Sequence, residues 1–192
     1  MNDHKNLKQM LIENEGSISH MYLDTVGKVT VGVGHMIPNC AAAEKLSFLV
    51  RANGGAASVA QIAQEYATLQ AQQPALPAAH YKSCTLLDMA GSAVEALLDA
   101  DIAVTEAGVR AAFRGYDNYP PESQDALLDM AFNLGVNGLA TKFPNLKAAA
   151  EAGDWHTCAA QCRRNGISDT RNQKTKALFE AAAAKRLASS AV

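Results

Sequence analysis

The chain has 192 residues, of which 48% are hydrophobic and 19% are charged, and its formal net charge is −2. This composition suits one globular domain, or one domain in two lobes, and excludes a disordered chain. The slight acidity argues against nucleic acid or an anionic membrane as the main partner. No apolar run is long enough to span a bilayer, and the polar N-terminus has no signal-peptide core. We therefore expect no stable membrane insertion, no signal peptide and some other route of export.

The first predicted element is an amphipathic helix that ends at a glutamate. Apolar residues recur there at helical spacing, namely Leu7, Met10 and Leu11. Glu15 falls on the last turn, and Gly16 suits the left-handed stop of a helix. A carboxylate at this end faces the negative pole of the helix dipole, which is unfavourable for stability. Residues that go against such local stability preferences tend to mark functional sites, so Glu15 is a candidate functional residue.

A short β-hairpin is predicted next. Residues 21–24 and 29–33 have the composition of strands, and Gly27 in the turn between them permits a tight hairpin. Gly32 and Gly34 would let the backbone come close to another surface or to a ligand.

The rest of the chain predicts helices, separated by glycine and proline signals. A capping box at Ser58 and Gln61 opens one of them, Pro121 opens another and Gly135 closes it. Two prolines make residues 73–84 a predicted loop. The predicted helical ranges are 41–52, 58–72, 86–113, 121–134, 145–152, 154–166 and from 170 onward, with Gly91 and Gly108 as candidate breaks in the third. The expected fold class is α+β and mainly α, with one small sheet near the start of the chain.

Two acidic residues frame the hairpin. Glu15 and Asp24 have eight residues between them, and Thr30 follows Asp24 after five more. Glycosidic hydrolysis needs one protonated acid for the leaving oxygen and one ionised acid that activates water or stabilises oxocarbenium-like charge. Thr30 could orient that water. Exposed acids are the commonest surface residues, however, so the residue types by themselves also fit an ordinary solvated surface.

The run NEGSISHMYLDTVGKVTVGVGH, residues 14–35, resembles the catalytic segment of phage-type lysozymes, the glycoside hydrolase family 24 muramidases. The family signature is a Glu that ends the first helix, then an Asp, a Thr and Gly-x-Gly-His. Its positions are matched here by Glu15, Asp24, Thr30, Gly32, Gly34 and His35. Residues 126–155, ALLDMAFNLGVNGLATKFPNLKAAAEAGDW, are similar to the family's central helix and the elements after it.

This resemblance implies a two-lobed lysozyme-like fold with a small β-hairpin sheet and a larger helical lobe. The whole chain, 1–192, would be one catalytic domain. Its small lobe would cover about residues 16–85, and its helical lobe residues 1–15 and 86–192. Residues 41–84 are longer than the corresponding part of the compact phage enzymes, so we expect an enlarged segment there.

The resemblance also implies an enzyme that cleaves the β-1,4 bond between N-acetylmuramic acid and N-acetylglucosamine by general acid/base catalysis. Glu15 would be the general acid, Asp24 the base or electrostatic partner, and Thr30 the residue that positions water. The chemistry needs no metal and no cofactor. Substrate-binding positions are matched by Gly32, His35, Asn133, Thr141 and Arg171.

The family histidine pairs with an aspartate on a following helix, which implies a bond between His35 and Asp101. The alternative is a solvated or singly bonded imidazole. The four cysteines lack the spacing of a zinc ribbon, and both buried free thiols and disulfides stay open. If a bridge forms, we expect it between Cys40 and Cys84, which bracket the enlarged segment.

Residues 171–179, of the form Arg-Asn-x-x-Thr-x-x-Leu-Phe, are more similar to bacterial toxin members of the family. They imply a monomeric antibacterial effector, delivered by contractile injection such as type VI secretion. Made in the cytoplasm, it would act on peptidoglycan glycan strands in the periplasm or cell wall of a target bacterium. Its producer would carry an immunity protein. The alternatives are a phage endolysin with the same activity, a catalytically dead peptidoglycan-binding module and a lytic transglycosylase.

Overall fold

The structure is a computed structural model that describes the backbone of residues 4–190 and the side chains up to residue 185. The strands are β1 (Ile18–Leu23), β2 (Val29–Gly32), β3 (His35–Met36), β4 (Phe48–Val50) and β5 (Leu87–Met89). The helices of the first half are α1 (Lys5–Glu15), α2 (Cys40–Ala43), α3 (Val59–Gln70), α4 (Ala78–Tyr81) and α5 (Gly91–Ala112). After a 3-10 helix (Tyr116–Asn118) come α6 (Pro121–Leu134), α7 (Val136–Lys142), α8 (Pro144–Ala152), α9 (Trp155–Gln161) and α10 (Asp169–Ser190).

The chain has an α+β fold that is mainly α, as the sequence predicts. The expectation of a single sheet is wrong, because β4 and β5 form a second antiparallel sheet besides β1-β2-β3. Phe48 pairs with Met89, and Val50 pairs with Leu87. These residues lie inside two ranges predicted as helix, 41–52 and 86–113. The periodicity of such short apolar runs is compatible with either a helix or a strand. Here each run forms a strand because it pairs with a segment distant in sequence.

The contacts divide the chain into two compact units. The hairpin unit is Glu15–Asp101, and the helical unit consists of the described residues of Met1–Asn14 and Ile102–Val192. The division falls within α5, whereas the expected helical lobe began at residue 86. The start of α5 packs on β2, since a Cβ placed on Gly32 would lie 3.6 Å from Val94 Cγ1.

In the hairpin unit, β1 and β2 form the predicted antiparallel hairpin. Tyr22 stands opposite Thr30, and Leu23 stands opposite Val29. The apolar side chains on one face form the core of the sheet, including Met21, Leu23 and Val31. Because paired residues share a face, the hairpin register decides which polar residues lie side by side.

In the helical unit, α6 is the central buried helix. Pro121 opens it and Gly135 closes it with a φ of +71°, as the sequence predicts. α10 packs against both α6 and α9. Within the described part of the chain, no helix is long and apolar enough to cross a bilayer.

The expected Cys40–Cys84 bridge is wrong, because all four cysteines are free. The Cys40 thiol donates to Glu44 Oε1 at 3.4 Å. The Cys84 thiol donates to the Tyr81 carbonyl oxygen at 3.2 Å. Each thiol therefore bonds to a partner three or four residues away in the chain.

Candidate active site

Glu15 is the last residue of α1, and its side chain is exposed. Gly16 follows with a φ of +77°, the left-handed conformation that ends a helix and turns the chain toward β1. The stop signal read from the sequence thus places the carboxylate at the end of the helix, with access to solvent.

Asp24 organises the turn of the β1–β2 hairpin. Its Oδ1 atom accepts hydrogen bonds from the backbone amides of Val26 at 2.9 Å and Lys28 at 2.7 Å. Its own backbone amide donates to the Lys28 carbonyl at 2.9 Å, and its carbonyl accepts from Gly27 at 3.1 Å. The hydrogen bonds that form the turn therefore also hold the carboxylate in place. Both side-chain bonds use Oδ1, and Oδ2 takes part in neither of them.

Thr30 lies on β2 and is only 3% exposed. Its hydroxyl donates to the Lys28 carbonyl oxygen at 3.2 Å. The hydroxyl oxygen retains acceptor capacity beyond that donated hydrogen, since a hydroxyl combines one donor with two lone pairs. Thr30 and Asp24 thus both form a hydrogen bond with the backbone of Lys28 in the hairpin turn.

Tyr22 lies beside the predicted site residues, and sequence reasoning missed it. It stands opposite Thr30 in the β1–β2 register. The pKa of its phenol is raised by burial, and further by the nearby carboxylates of Asp24 and Glu15. Tyr22 therefore lies within electrostatic reach of both acids and beside the threonine. Its place two residues before Asp24 on a predicted strand was the available signal, because alternate strand residues share a face.

The predicted bond between His35 and Asp101 is confirmed. His35 Nδ1 lies 3.0 Å from each carboxylate oxygen of Asp101, and both side chains are about a quarter exposed. The bond connects β3 to α5. Gly32 lies at the end of β2, where its φ of +67° favours glycine.

The other predicted substrate-binding residues lie in the helical unit. Asn133 on α6 and Thr141 on α7 are exposed, and the Thr141 hydroxyl donates to the Asn137 carbonyl at 2.8 Å. Arg171 on α10 is only 5% exposed, and its Nε donates to Asp129 Oδ1 at 2.9 Å. Asn133 and Thr141 are thus accessible to a ligand, whereas Arg171 is engaged inside its own unit.

A family model described as phage lysozyme matches residues 12–185. The chain belongs to the phage lysozyme family. It is accordingly a glycoside hydrolase, a muramidase, whose substrate is peptidoglycan.

Among solved structures, 443 chains match this protein. One of them is the crystal structure of a P22 lysozyme mutant, which is 17% identical in sequence with a TM-score of 0.58. The alignment covers 93% of this chain and 98% of that chain. At this identity the likeness shows that the phage lysozyme shares the fold. A search of curated proteins finds no match.

Proposed function

We propose that this member of the phage lysozyme family hydrolyses the β-1,4 bond between N-acetylmuramic acid and N-acetylglucosamine. Glu15 acts as the general acid, Asp24 as the base or electrostatic partner, and Thr30 positions the attacking water. The observation that carries this proposal is the position of Tyr22. Both carboxylates raise the pKa of its phenol and it stands opposite Thr30, which supports the assignment of all three residues to one site.

Each environment suits its proposed role. Glu15 is exposed at the helix end, where its carboxyl group can reach a glycosidic oxygen. Asp24 accepts two backbone amide bonds at Oδ1, which hold the group in place while Oδ2 faces water or oxocarbenium-like charge. Thr30 gives its hydroxyl hydrogen to Lys28, so its oxygen accepts a hydrogen from the water and orients it.

The glycan-binding roles of Gly32, His35, Asn133 and Thr141 are part of the same proposal. The His35 imidazole is oriented through Nδ1 by Asp101, which leaves Nε2 as the nitrogen for a sugar hydroxyl. Asn133 and Thr141 are exposed polar residues on helices of the other unit. The proposal also includes Arg171, which is 5% exposed and whose Nε donates to Asp129 Oδ1 at 2.9 Å.

Product analysis tests the reaction. Purified sacculi are digested with the protein, and the soluble fragments are examined by mass spectrometry before and after borohydride reduction. Hydrolysis gives muramic acid reducing ends that borohydride reduces. Anhydromuramic ends would instead mean that the muramyl hydroxyl replaces water, as in a lytic transglycosylase, and would overturn the roles given to Asp24 and Thr30.

For the biological role, we propose a monomeric antibacterial effector that acts in the periplasm of a target bacterium, with an immunity protein in its producer. The support is the similarity of residues 171–179 to bacterial toxin members. The structure gives this pattern a packing role, since its main residues Arg171, Asn172, Thr175 and Phe179 are buried.

Compartment-specific expression tests this role. The chain with an added export signal should lyse a Gram-negative host, and the same chain without one should be harmless. An exported Glu15→Gln variant is the control. Equal growth of all three strains would contradict the proposed role, and co-expressed genes from the producer that restore growth would identify the immunity protein.

A further inference from the structure

The enlarged segment contains a short loop that contacts the turn carrying Asp24. Residues 73–77, Gln-Pro-Ala-Leu-Pro, form this proline loop. The Ala75 amide donates to the Asp24 carbonyl oxygen at 3.3 Å. A Cβ placed on Gly27, in the hairpin turn, would lie 3.5 Å from the Pro74 ring. The loop therefore bonds to the hairpin at the backbone of Asp24 and lies close to the turn that the Asp24 side chain organises.

A buried tyrosine fixes the shape of the proline loop. The Tyr81 hydroxyl donates to the Gln73 carbonyl at 2.8 Å and accepts from the Leu76 amide at 3.3 Å. Tyr81 is fully buried, so the hydroxyl is anchored to the core of the hairpin unit. One hydroxyl thus ties together both ends of the loop, on either side of the residues that contact the hairpin.

The backbone of the loop is strained at the residue that bonds to Asp24. Ala75 has a φ of +62°, a left-handed conformation that a residue with a Cβ rarely adopts. Such a conformation persists only where the surroundings determine it, and it directs the Ala75 amide toward the Asp24 carbonyl. A second contact joins the hairpin to the helix that follows the loop, because His20 Nε2 on β1 lies 2.9 Å from the Ala78 carbonyl oxygen at the start of α4.

We propose that the proline loop positions Asp24 for catalysis and that Tyr81 is the positioning residue which holds the loop in shape. The loop fixes the backbone of Asp24 from outside the hairpin, and the amides of Val26 and Lys28 fix its carboxylate from inside. The enlarged segment thereby contributes to the active site without supplying a group that touches the substrate. The inference rests on the proposed role of Asp24 in hydrolysis.

The first test is Tyr81→Phe, which removes the hydroxyl and keeps the buried ring. Misplacing a catalytic group by about 1 Å can cost about a hundredfold in rate, so a loosened turn should lower kcat about tenfold. KM on soluble peptidoglycan fragments should stay within about twofold, because the substrate contacts are unchanged. Tyr119→Phe is the matched control, since it removes a hydroxyl that donates to the Arg114 carbonyl at 2.8 Å in the helical unit. Its kcat should equal that of the wild type.

The decisive measurement repeats Tyr81→Phe in an Asp24→Asn background. Asparagine keeps an oxygen that can accept from both backbone amides, so the turn is preserved. If Tyr81 acts through Asp24, its loss should change the residual kcat by less than about twofold, because residues that act as a unit are not additive. An equal loss in both backgrounds would mean a general structural effect and would overturn the positioning role alone. Wild-type kcat for Asp24→Asn by itself would instead overturn the proposed function.

A milder variant covers the case in which Tyr81→Phe does not fold. Pro74→Ala removes the ring that packs near Gly27, and because Pro74 is exposed the core is not disturbed. We expect kcat to fall about threefold, in the same direction as for Tyr81→Phe and for the same reason. Unchanged kcat in folded Pro74→Ala would contradict the inference.

Discussion

The two units use charged residues in opposite ways. In the helical unit, the Asp129 side chain is fully buried and contacts both Arg164, at 2.5 Å, and Arg171, at 2.9 Å. In the hairpin unit, Glu15 is exposed, and Asp24 is held by backbone amides with no oppositely charged partner among the bonds of its turn. Buried charges need charged partners to offset desolvation, whereas a carboxylate that must gain or lose a proton needs access to water. The comparison separates charges that stabilise the fold from charges available for chemistry.

The largest effect is expected for Glu15→Gln. The change removes the proposed proton donor, and general acid catalysis typically contributes about a hundredfold or more, so lysis should fall to near background. The melting temperature should hold or rise, since the negative helix end no longer faces a carboxylate. Turbidity assays on permeabilised Gram-negative cells measure the activity.

Glu13→Gln is the matched control for Glu15→Gln. Glu13 is a second exposed acid on the same last turns of α1, and it forms an exposed ion pair with Lys174. The variant should clear cells at the wild-type rate. Wild-type clearing by folded Glu15→Gln protein would remove Glu15 from the mechanism and end the contrast between the two units.

Asp129→Asn tests the other side of the comparison. The change removes the buried negative charge that contacts both Arg164 and Arg171, which should lower the free energy of unfolding by about 3–5 kcal/mol. Chemical denaturation measures the loss. The control is Asp169→Asn, because Asp169 pairs with Arg163 at 2.9 Å on the surface. That exposed pair should contribute less than about 1 kcal/mol, and equal losses in the two variants would contradict the comparison.

His4 should make the stability of the helical unit depend on pH. Its Nδ1 lies 2.6 Å from Asp125 Oδ1, and its Nε2 lies 3.6 Å from Glu106. The hydrogen bond to Asp125 raises the pKa of His4 above 6.5, against the opposing effect of burial. The contribution of His4 to the free energy of unfolding is therefore fully present below about pH 6.5, and it is lost as the pH rises through the pKa of His4 in the folded protein.

The measurement is the free energy of unfolding at several pH values between 5.5 and 8.5. The wild type should lose stability across this range relative to His4→Gln, in which the titrating group is gone. His156→Gln removes an exposed histidine from the same unit and serves as the control. Parallel pH curves for the wild type and His4→Gln would show that the pair makes no contribution.

The smallest effect concerns the cysteines. Cys40→Ser combined with Cys84→Ser should leave the melting temperature unchanged in oxidising and in reducing buffer, because no bridge joins these residues. Burial raises the pKa of Cys158 to about 12 and also raises the pKa of Cys162, so these thiols should react with a thiol reagent only after unfolding. A loss of two reactive thiols on oxidation of the native protein would contradict the structure.

Much of the local structure was readable from the sequence. Gly16 ends α1 after Glu15, the Ser58 capping box opens α3, and α6 runs between Pro121 and Gly135 as expected. These signals depend on residues only a few positions apart in the chain. They can therefore be recognised without knowledge of the tertiary structure. The motif that gave the phage lysozyme resemblance lies in one such stretch, the end of α1 and the hairpin after it.

The tertiary structure decided what depends on partners distant in sequence. Phe48 became a strand residue because Met89 pairs with it, and Arg171 turned inward because Asp129 lies on α6. The sequence of the proline loop predicts only an interruption between helices. In the folded protein, however, its Ala75 amide donates to the backbone carbonyl of Asp24. Periodicity and turn chemistry describe neighbours along the chain, whereas strand pairing, burial of a charge and support of a catalytic turn need groups that only folding brings together.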